Sequence, residues 1–424
     1  MTTDSNRSPD RAVRRGEAAF ISSKQMLALQ AEDETAMQQI SATGFESEWS
    51  WLLAACSALP VSEKILRISP PVSSSIRWNI LFQLAEQHGI VCLLYRALSG
   101  MSEVVPPAEL RSLKQRDEAN LHKALLTASE LIRILDCLDS LSIEVMPYKG
   151  LAVAEILYGD LAARQSGDID LFIRARDLLR IKAAVCDLGY TTHLTLSERE
   201  EQAYLVSGYE YSFDSTAGKN LLEVQWALQP RFYAVDFDME GVFQRAVSVT
   251  VAGRAIKTPS PEDLVLVLSV HAAKHMWARL IWLCDIAELM RLPKLNWDQV
   301  NSQAKSLGIT RILHVTLLLS QHLLDATMPL AIQNEAANDL QAQTWARSIS
   351  KQIVGGGSFD TESWQYFRAA MRLRERRRDR MRFLWRLAVT PGPREWKSVH
   401  LPPLLFPLYR LVRISRLASR LLRT

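Results

Sequence analysis

The chain has 424 residues, 48% hydrophobic and 23% charged, which is long for one ordinary domain and apolar enough to fold around a core. Its five cysteines (Cys56, Cys92, Cys137, Cys186, Cys284) are scattered with no CxxC pair, against a disulfide framework or a cysteine zinc site and in favour of reduced thiols in the cytoplasm. The N-terminus shows no signal-peptide apolar run, and no window offers the roughly 18 uncharged apolar residues of a membrane span.

The net charge of +4 is uneven. From Arg368 to Thr424 there are 16 basic and 3 acidic residues, a basic surplus of 13, while the rest of the chain has an acidic surplus of 9.

In chain order, residues 1–45 read as a poorly ordered polar arm with a short helix near Gln25–Gln39. Residues 46–142 read as helical. "WNILFQLAEQHGIVCLLYRAL" and "LHKALLTASELIRILDCLDSL" repeat apolar residues at three-to-four spacing, "SPPVSSS" is a loop, and the Pro-Pro of "VVPPAEL" opens a helix. The period then changes, and a mixed α/β unit spans 143–257. "SIEVMPY" is a strand, "GLAVAEILYG" a short helix, "DIDLFI" a strand, and "RDLLRIKAAVCDLGY" a helix stopped by Gly189. "GYEYSFD" and "NLLEVQWAL" are strands joined by the turn "STAGKN". "TPSPEDL" caps a helical region over 258–350. Residues 351–424 hold a Gly-Gly-Gly loop at 355–357, an Arg-rich helix over 364–387, a Pro-rich bend and a final amphipathic helix.

Two aspartates stand inside the strand "DIDLFI". Alternation puts Asp168 and Asp170 on one face, with Ile169, Leu171 and Ile173 on the core face, and a rise of about 3.3 Å per residue sets their Cα atoms about 6.5–7 Å apart. Buried carboxylates need a positive partner, and a pair so placed can bracket divalent cations about 3.5–4 Å apart, the spacing of two-metal phosphoryl chemistry. Magnesium suits such oxygen ligands together with substrate phosphates. Glu223 points away from the inward Leu222, Val224 and Trp226 and supplies a third carboxylate to orient or deprotonate an attacking hydroxyl. Gly150 sits where a strand turns into a helix, so backbone N–H groups there can cradle phosphate. Lys149 and Arg164 can neutralise triphosphate charge; the plainer alternatives are a strand-end lysine and a surface ion pair.

Lys-Gly, then Tyr158, Arg164 and Gly-Asp-Ile-Asp-Leu, resemble the signature of the nucleotidyltransferase (DNA polymerase beta-like) superfamily. "LAEQHGIVCLLYRAL", "LEVQW" and "HAAKHMWARLIWLCDIAELM" extend the likeness over 49–330 to an uncharacterised bacterial nucleotidyltransferase family found beside polysaccharide or peptide natural-product genes. The resemblance implies an α+β fold, a nucleotidyltransferase-type mixed sheet between helical regions. It implies Asp168 and Asp170 as Mg²⁺ ligands, Glu223 as the third catalytic carboxylate and Gly150 as the phosphate-loop glycine, with an NTP as substrate; together with the charges of Lys149 and Arg164, the expected nucleotide-binding set is Lys149, Gly150, Arg164 and Gly167. The chain departs from the pattern at Leu151, where relatives carry Ser or Gly after the turn glycine, in the longer gap before Asp168, and at Gln225, where relatives often carry His.

His271 and His275 are four apart on one helix face, a spacing that can bind zinc, but HExxH would need glutamate at 272. Packed histidines are the simpler expectation; the other is that His271, Lys274, His275 and Asp285 line a cleft opposite the acidic strand. Met276, Trp277 and Trp282 read as core, and the arginines over 372–382 as a solvated face. Arg410, Arg413, Arg416, Arg420 and Arg423 share one arc of the last helix, with apolar residues mostly opposite. Such a helix either lies on an anionic membrane or a protein partner, or docks on its own body. Nucleic acid is not an expected partner, since no recognisable module interleaves aromatics with bases.

The sequence thus predicts a cytoplasmic enzyme, peripheral at the inner membrane surface if the tail binds lipid. It would move a nucleoside monophosphate from an NTP to an unidentified acceptor. The alternative is a non-catalytic scaffold or regulator of the same fold, the reading the Leu151 and Gln225 departures favour.

Overall fold

A computed structural model describes residues 46–59, 63–64, 76–215, 220–355, 363–392, 395–396 and 399–421. The polar arm with its helix near Gln25–Gln39, the "SPPVSSS" loop, most of the "STAGKN" turn and most of the Gly-Gly-Gly loop lie outside these residues. Among the described residues the first helices are α1 (Glu46–Cys56), α2 (Trp78–Gln87), α3 (Val91–Ser99) and α4 (Pro107–Ser140). Pro107 opens α4, where the missing N–H costs no helical hydrogen bond, and the helix buries Leu113, Ala124, Leu131, Leu135 and Leu138 along one stripe.

The α/β unit follows. β1 (Val145–Pro147) leads into α5 (Gly150–Tyr158), then β2 (Asp168–Ile173), α6 (Leu178–Asp187) and β3 (Tyr190–Thr192). Next come α7 (Glu198–Ser207), β4 (Glu210–Ser215), β5 (Leu221–Gln225) and α8 (Met239–Gln244). The sequence reading had no helix at α7. It is set by a capping box, in which Ser197 accepts from the Glu200 N–H and the Glu200 carboxylate accepts from the Ser197 N–H. A separate hairpin, β6 (Val247–Val251) and β7 (Arg254–Thr258), turns at Ala252 and Gly253, both at positive φ.

The main sheet has the order β1-β2-β5-β4-β3. β2 and β5 are parallel and the other pairs antiparallel, so the fold is a mixed-sheet α+β architecture flanked by helices. Ile169, Leu171 and Ile173 pack with Leu131 and Leu135 of α4 and Leu178 and Ile181 of α6. The opposite face of β2 carries Asp168, Asp170 and Phe172, and Phe172 is covered by Tyr148, stacked at 3.6 Å.

Beyond the sheet lie α9 (Pro261–Lys274), α10 (Leu280–Met290), α11 (Trp297–Leu307), α12 (Thr310–Leu324), α13 (Leu330–Asn338) and α14 (Leu340–Val354). Ser260 caps α9 by accepting from the Asp263 N–H, with Pro261 in the first turn, as "TPSPEDL" predicts. The tail comprises α15 (Trp364–Arg372), α16 (Arg377–Val389) and α17 (Tyr409–Leu421). The single Arg-rich helix expected over 364–387 is therefore two helices, broken around the buried Leu373 and Arg374.

The arginine arc of α17 also needs correction. Tyr409 is fully buried with its ring 4.1 Å from Trp396, and Arg413 and Arg416 both turn onto the buried Glu395 carboxylate at 3.3 and 2.7 Å. A buried acid holds these arginines more strongly than water does, so this part of the arginine arc docks and Leu408, Leu411 and Ile414 face outward.

Candidate active site

Residues two apart on a strand share a face, so Asp168 and Asp170 point the same way, and the parallel register sets Glu223 beside Asp170. Lys149, immediately before α5, donates its ammonium to Asp170 Oδ1 at 2.8 Å, 4.7 Å from the Tyr148 ring centroid. Asp170 Oδ2 is buried and has no hydrogen-bond partner.

β4 adds a carboxylate that the sequence reading missed. Glu210 pairs with Gln225 in the antiparallel register, on the face that Glu223 occupies. Gln225 joins the group: its amide donates to Glu223 at 3.0 Å and to Glu210 at 3.3 Å, and its carbonyl accepts from the buried Tyr148 hydroxyl at 2.7 Å. Tyr209 donates to Glu210 and accepts from Lys274 at 3.3 Å. The alternation in "EYSFD" is the signal that would have found Glu210, since Tyr211 and Phe213 face the core.

This crowding shapes the charges. Burial and the Asp170 charge hold the Asp168 carboxyl above its ordinary range. Asp170 is raised by burial and by Glu223, with Lys149 opposing, and Glu223 by burial and Glu210. Burial works against the Lys149 charge, but Asp170, Tyr148 and Glu223 outweigh it and keep the ammonium protonated.

Gly150 has φ of +52°, and a Cβ there would stand 2.8 Å from Ser166 Oγ. Glycine is required on both counts. The hydroxyl that Leu151 cannot supply thus reaches the turn from Ser166, while Leu151 is buried in the core. Gly167 is exposed, and the Lys123 ammonium of α4 lies 3.4 Å from where its Cβ would be, a cation at the mouth that the sequence reading did not single out.

Two predicted site residues sit differently from expectation. Arg164 is buried, its Nε 2.9 Å from Asp285 Oδ2, and Asp285 also accepts from the Tyr158 hydroxyl at 3.0 Å. Asp285 is fully buried and does not line a cleft. Burial strongly favours this charge-assisted pair over two separate charges, so Arg164 ties the loop before β2 to α10 rather than facing a triphosphate.

His271 lies in the last turn of α9 and His275 just past its end, with ring centroids 5.0 Å apart and Trp282 about equally close to each. Trp282 is half-buried against the histidines, whereas Met276 and Trp277 are core. Burial and neighbouring lysines hold both imidazoles neutral, His275 pushed down to about 3. Lys274 is depressed, first by burial. Among the described residues, no three His, Cys, Asp or Glu side chains form a ready-made metal cage.

The family model described as an uncharacterised nucleotidyltransferase matches residues 74–325, more than half of the chain. The chain belongs to that family. Family membership supports a role in nucleotidyl transfer. No curated protein matches the chain. Among solved structures, an antigenic nucleotidyltransferase-like protein from Paracoccidioides brasiliensis is similar at 18% identity, over 51% of this chain and 95% of that one, with a TM-score of 0.29. In this family member, the acidic face of β2 and β5 and the glycine turn before α5 all lie within the matched segment.

Proposed function

We propose that the chain transfers a nucleoside monophosphate from an NTP to an acceptor, releasing pyrophosphate. Asp168 and Asp170 would hold Mg²⁺, Glu223 would orient or deprotonate the acceptor hydroxyl, and the turn at Gly150, with Lys149, would receive the phosphates. The observation that carries this reading is the unpartnered, buried Asp170 Oδ2 among carboxyls all pushed toward their protonated forms. A divalent cation would relieve that crowding, and two carboxylates fit Mg²⁺, which binds through one or two carboxylates plus substrate phosphates. When bound, the cation would neutralise charge on the transferred phosphoryl group and the leaving pyrophosphate. The Gln225 amide fixes Glu223 in rotation, and Gly150 leaves backbone N–H groups open to a phosphate. The catalytic unit of this reading is the 143–257 segment, with the helical regions holding it and shaping the acceptor side, in a cytoplasmic setting.

The Lys149–Asp170 ion pair favours a second reading, a non-catalytic member in which lysine permanently occupies the cation position. One experiment separates them: incubation with each α-labelled NTP, Mg²⁺ and host lysate. The first reading expects label on an acceptor only with added protein, lost in Asp168→Asn/Asp170→Asn. Nucleotide binding without transfer from any NTP would support the second.

A further inference from the structure

Among the described residues, nine large apolar side chains stand exposed in the tail, and those on α17 and just before it follow a pattern. Leu408, Leu411 and Ile414 recur every three residues on one face, while Tyr409 and Arg413 bury the other. Leu404, on the approach to α17, is 94% exposed and Leu411 60% exposed. On α16, Met381, Leu384 and Trp385 share the i, i+3, i+4 face, and Trp385 is 68% exposed. α16 and α17 pack against each other. Part of α17 thus inverts the usual amphipathic pattern: Arg413 and Arg416 take the protein side, and Leu411 and Ile414 the water side. An apolar surface of this extent marks an interaction site.

The surroundings state the partner's charge. Arg377 and Arg378 on α16 and Arg410 on α17 are exposed, within the segment that carries the basic surplus of 13. A second copy meeting this patch face to face would bring those arginines together, which like charges oppose. An anionic lipid surface offers both an apolar interior and opposite charge, and tryptophan settles at that boundary.

We propose that the exposed face of α16 and α17 docks on an anionic bilayer, with Leu404, Leu411, Ile414 and Trp385 entering the acyl boundary. The attachment does not depend on nucleotide. Leu404 and Leu411 mostly face solvent and Ile414 does so in part, so the melting temperature of the variant reports whether packing is kept.

The test is co-sedimentation of the full chain with phosphatidylcholine vesicles and with phosphatidylcholine–phosphatidylglycerol vesicles across a salt series. The variant is Leu404→Ser/Leu411→Ser/Ile414→Ser, with melting temperature as the folding check. The expected result is pelleting with the anionic vesicles that weakens with salt, lowered at least about tenfold in the variant, which melts like the parent. Equal pelleting of parent and variant, or no preference for anionic lipid, overturns the proposal. So does a parent dimer that the variant loses while neither binds vesicles, which would assign the face to a second copy.

Discussion

Burial first, and then the charge of Asp170, hold the Asp168 carboxyl above its ordinary range. A carboxyl whose folded pKa is raised destabilises the fold while ionised, above that pKa, and the penalty is relieved as pH falls through it. Asp168→Asn therefore raises the melting temperature of ligand-free protein at neutral pH, by about 1 °C for about 1 kcal/mol in a chain of this length. The same variant loses the response to Mg²⁺ and NTP, a combination that ordinary structural damage does not give. Arg164 behaves in the opposite way. Arg164→Ala strands Asp285 as an uncompensated buried charge and costs about 3–5 kcal/mol by denaturant titration, whatever the nucleotide does. A variant of parental stability with weakened nucleotide affinity would instead restore Arg164 to the phosphate site. Arg164 was legible in the sequence as a residue near the acidic strand, but its partner lies 121 positions away on another helix, and nothing local to Arg164 names it.

At the scale of elements, β1, β2, β4 and β5 were readable because alternation is local, whereas the short β3 and the β6–β7 hairpin were not read as strands. The alternation in "DIDLFI" and "LLEVQ" sorts acids from core residues, and the parallel register then follows from their pairing. The hydroxyl of Ser166 at the Gly150 turn was not readable, because it depends on where a loop folds back. The histidine helix carries a second kind of hidden information. Met276 and Trp277 follow it with φ of 51° and 52°, a left-handed pair unusual for bulky residues and held by burial and by the Trp277–Thr316 hydrogen bond at 2.9 Å. The histidines held by this end titrate measurably. His275 stays neutral in the folded chain down to about 3, whereas the unfolded imidazole gains a proton below about 6.5. The unfolded state then binds more protons, so stability falls as pH drops through that window. Stability measured from pH 8 to pH 4 should show this slope, shallower in His275→Gln, with the two proteins alike at pH 8. An unchanged slope would mean that the imidazole protonates without cost in the fold.

For the molecule as a whole, the tail joins two roles that the sequence presented as alternatives. The helical wheel correctly groups the arginines of α17, but it cannot say which arc meets the body, because Glu395 and Trp396 lie outside the helix. Removing residues 408–424 takes two arginines from a fully buried carboxylate and uncovers Trp396, so it lowers stability by about 3 kcal/mol or more. A truncated chain that melts like the full one would contradict the docked geometry. Among the described residues no helix is long and apolar enough to cross a membrane. The acidic face, the glycine turn and the family assignment meet in the same segment, and the reading proposed above has this face bind nucleotide through a metal. The most direct measurement is the melting temperature with Mg²⁺ alone, NTP alone and both together, for the parent chain and for Asp168→Asn/Asp170→Asn. Ligand at about 100 times its Kd adds about 2.7 kcal/mol. Nucleotide bound through a metal at this face gives a shift with both ligands that exceeds the sum of each alone and is absent from the double variant; an equal shift in the double variant, or none in the parent with any NTP, rules it out.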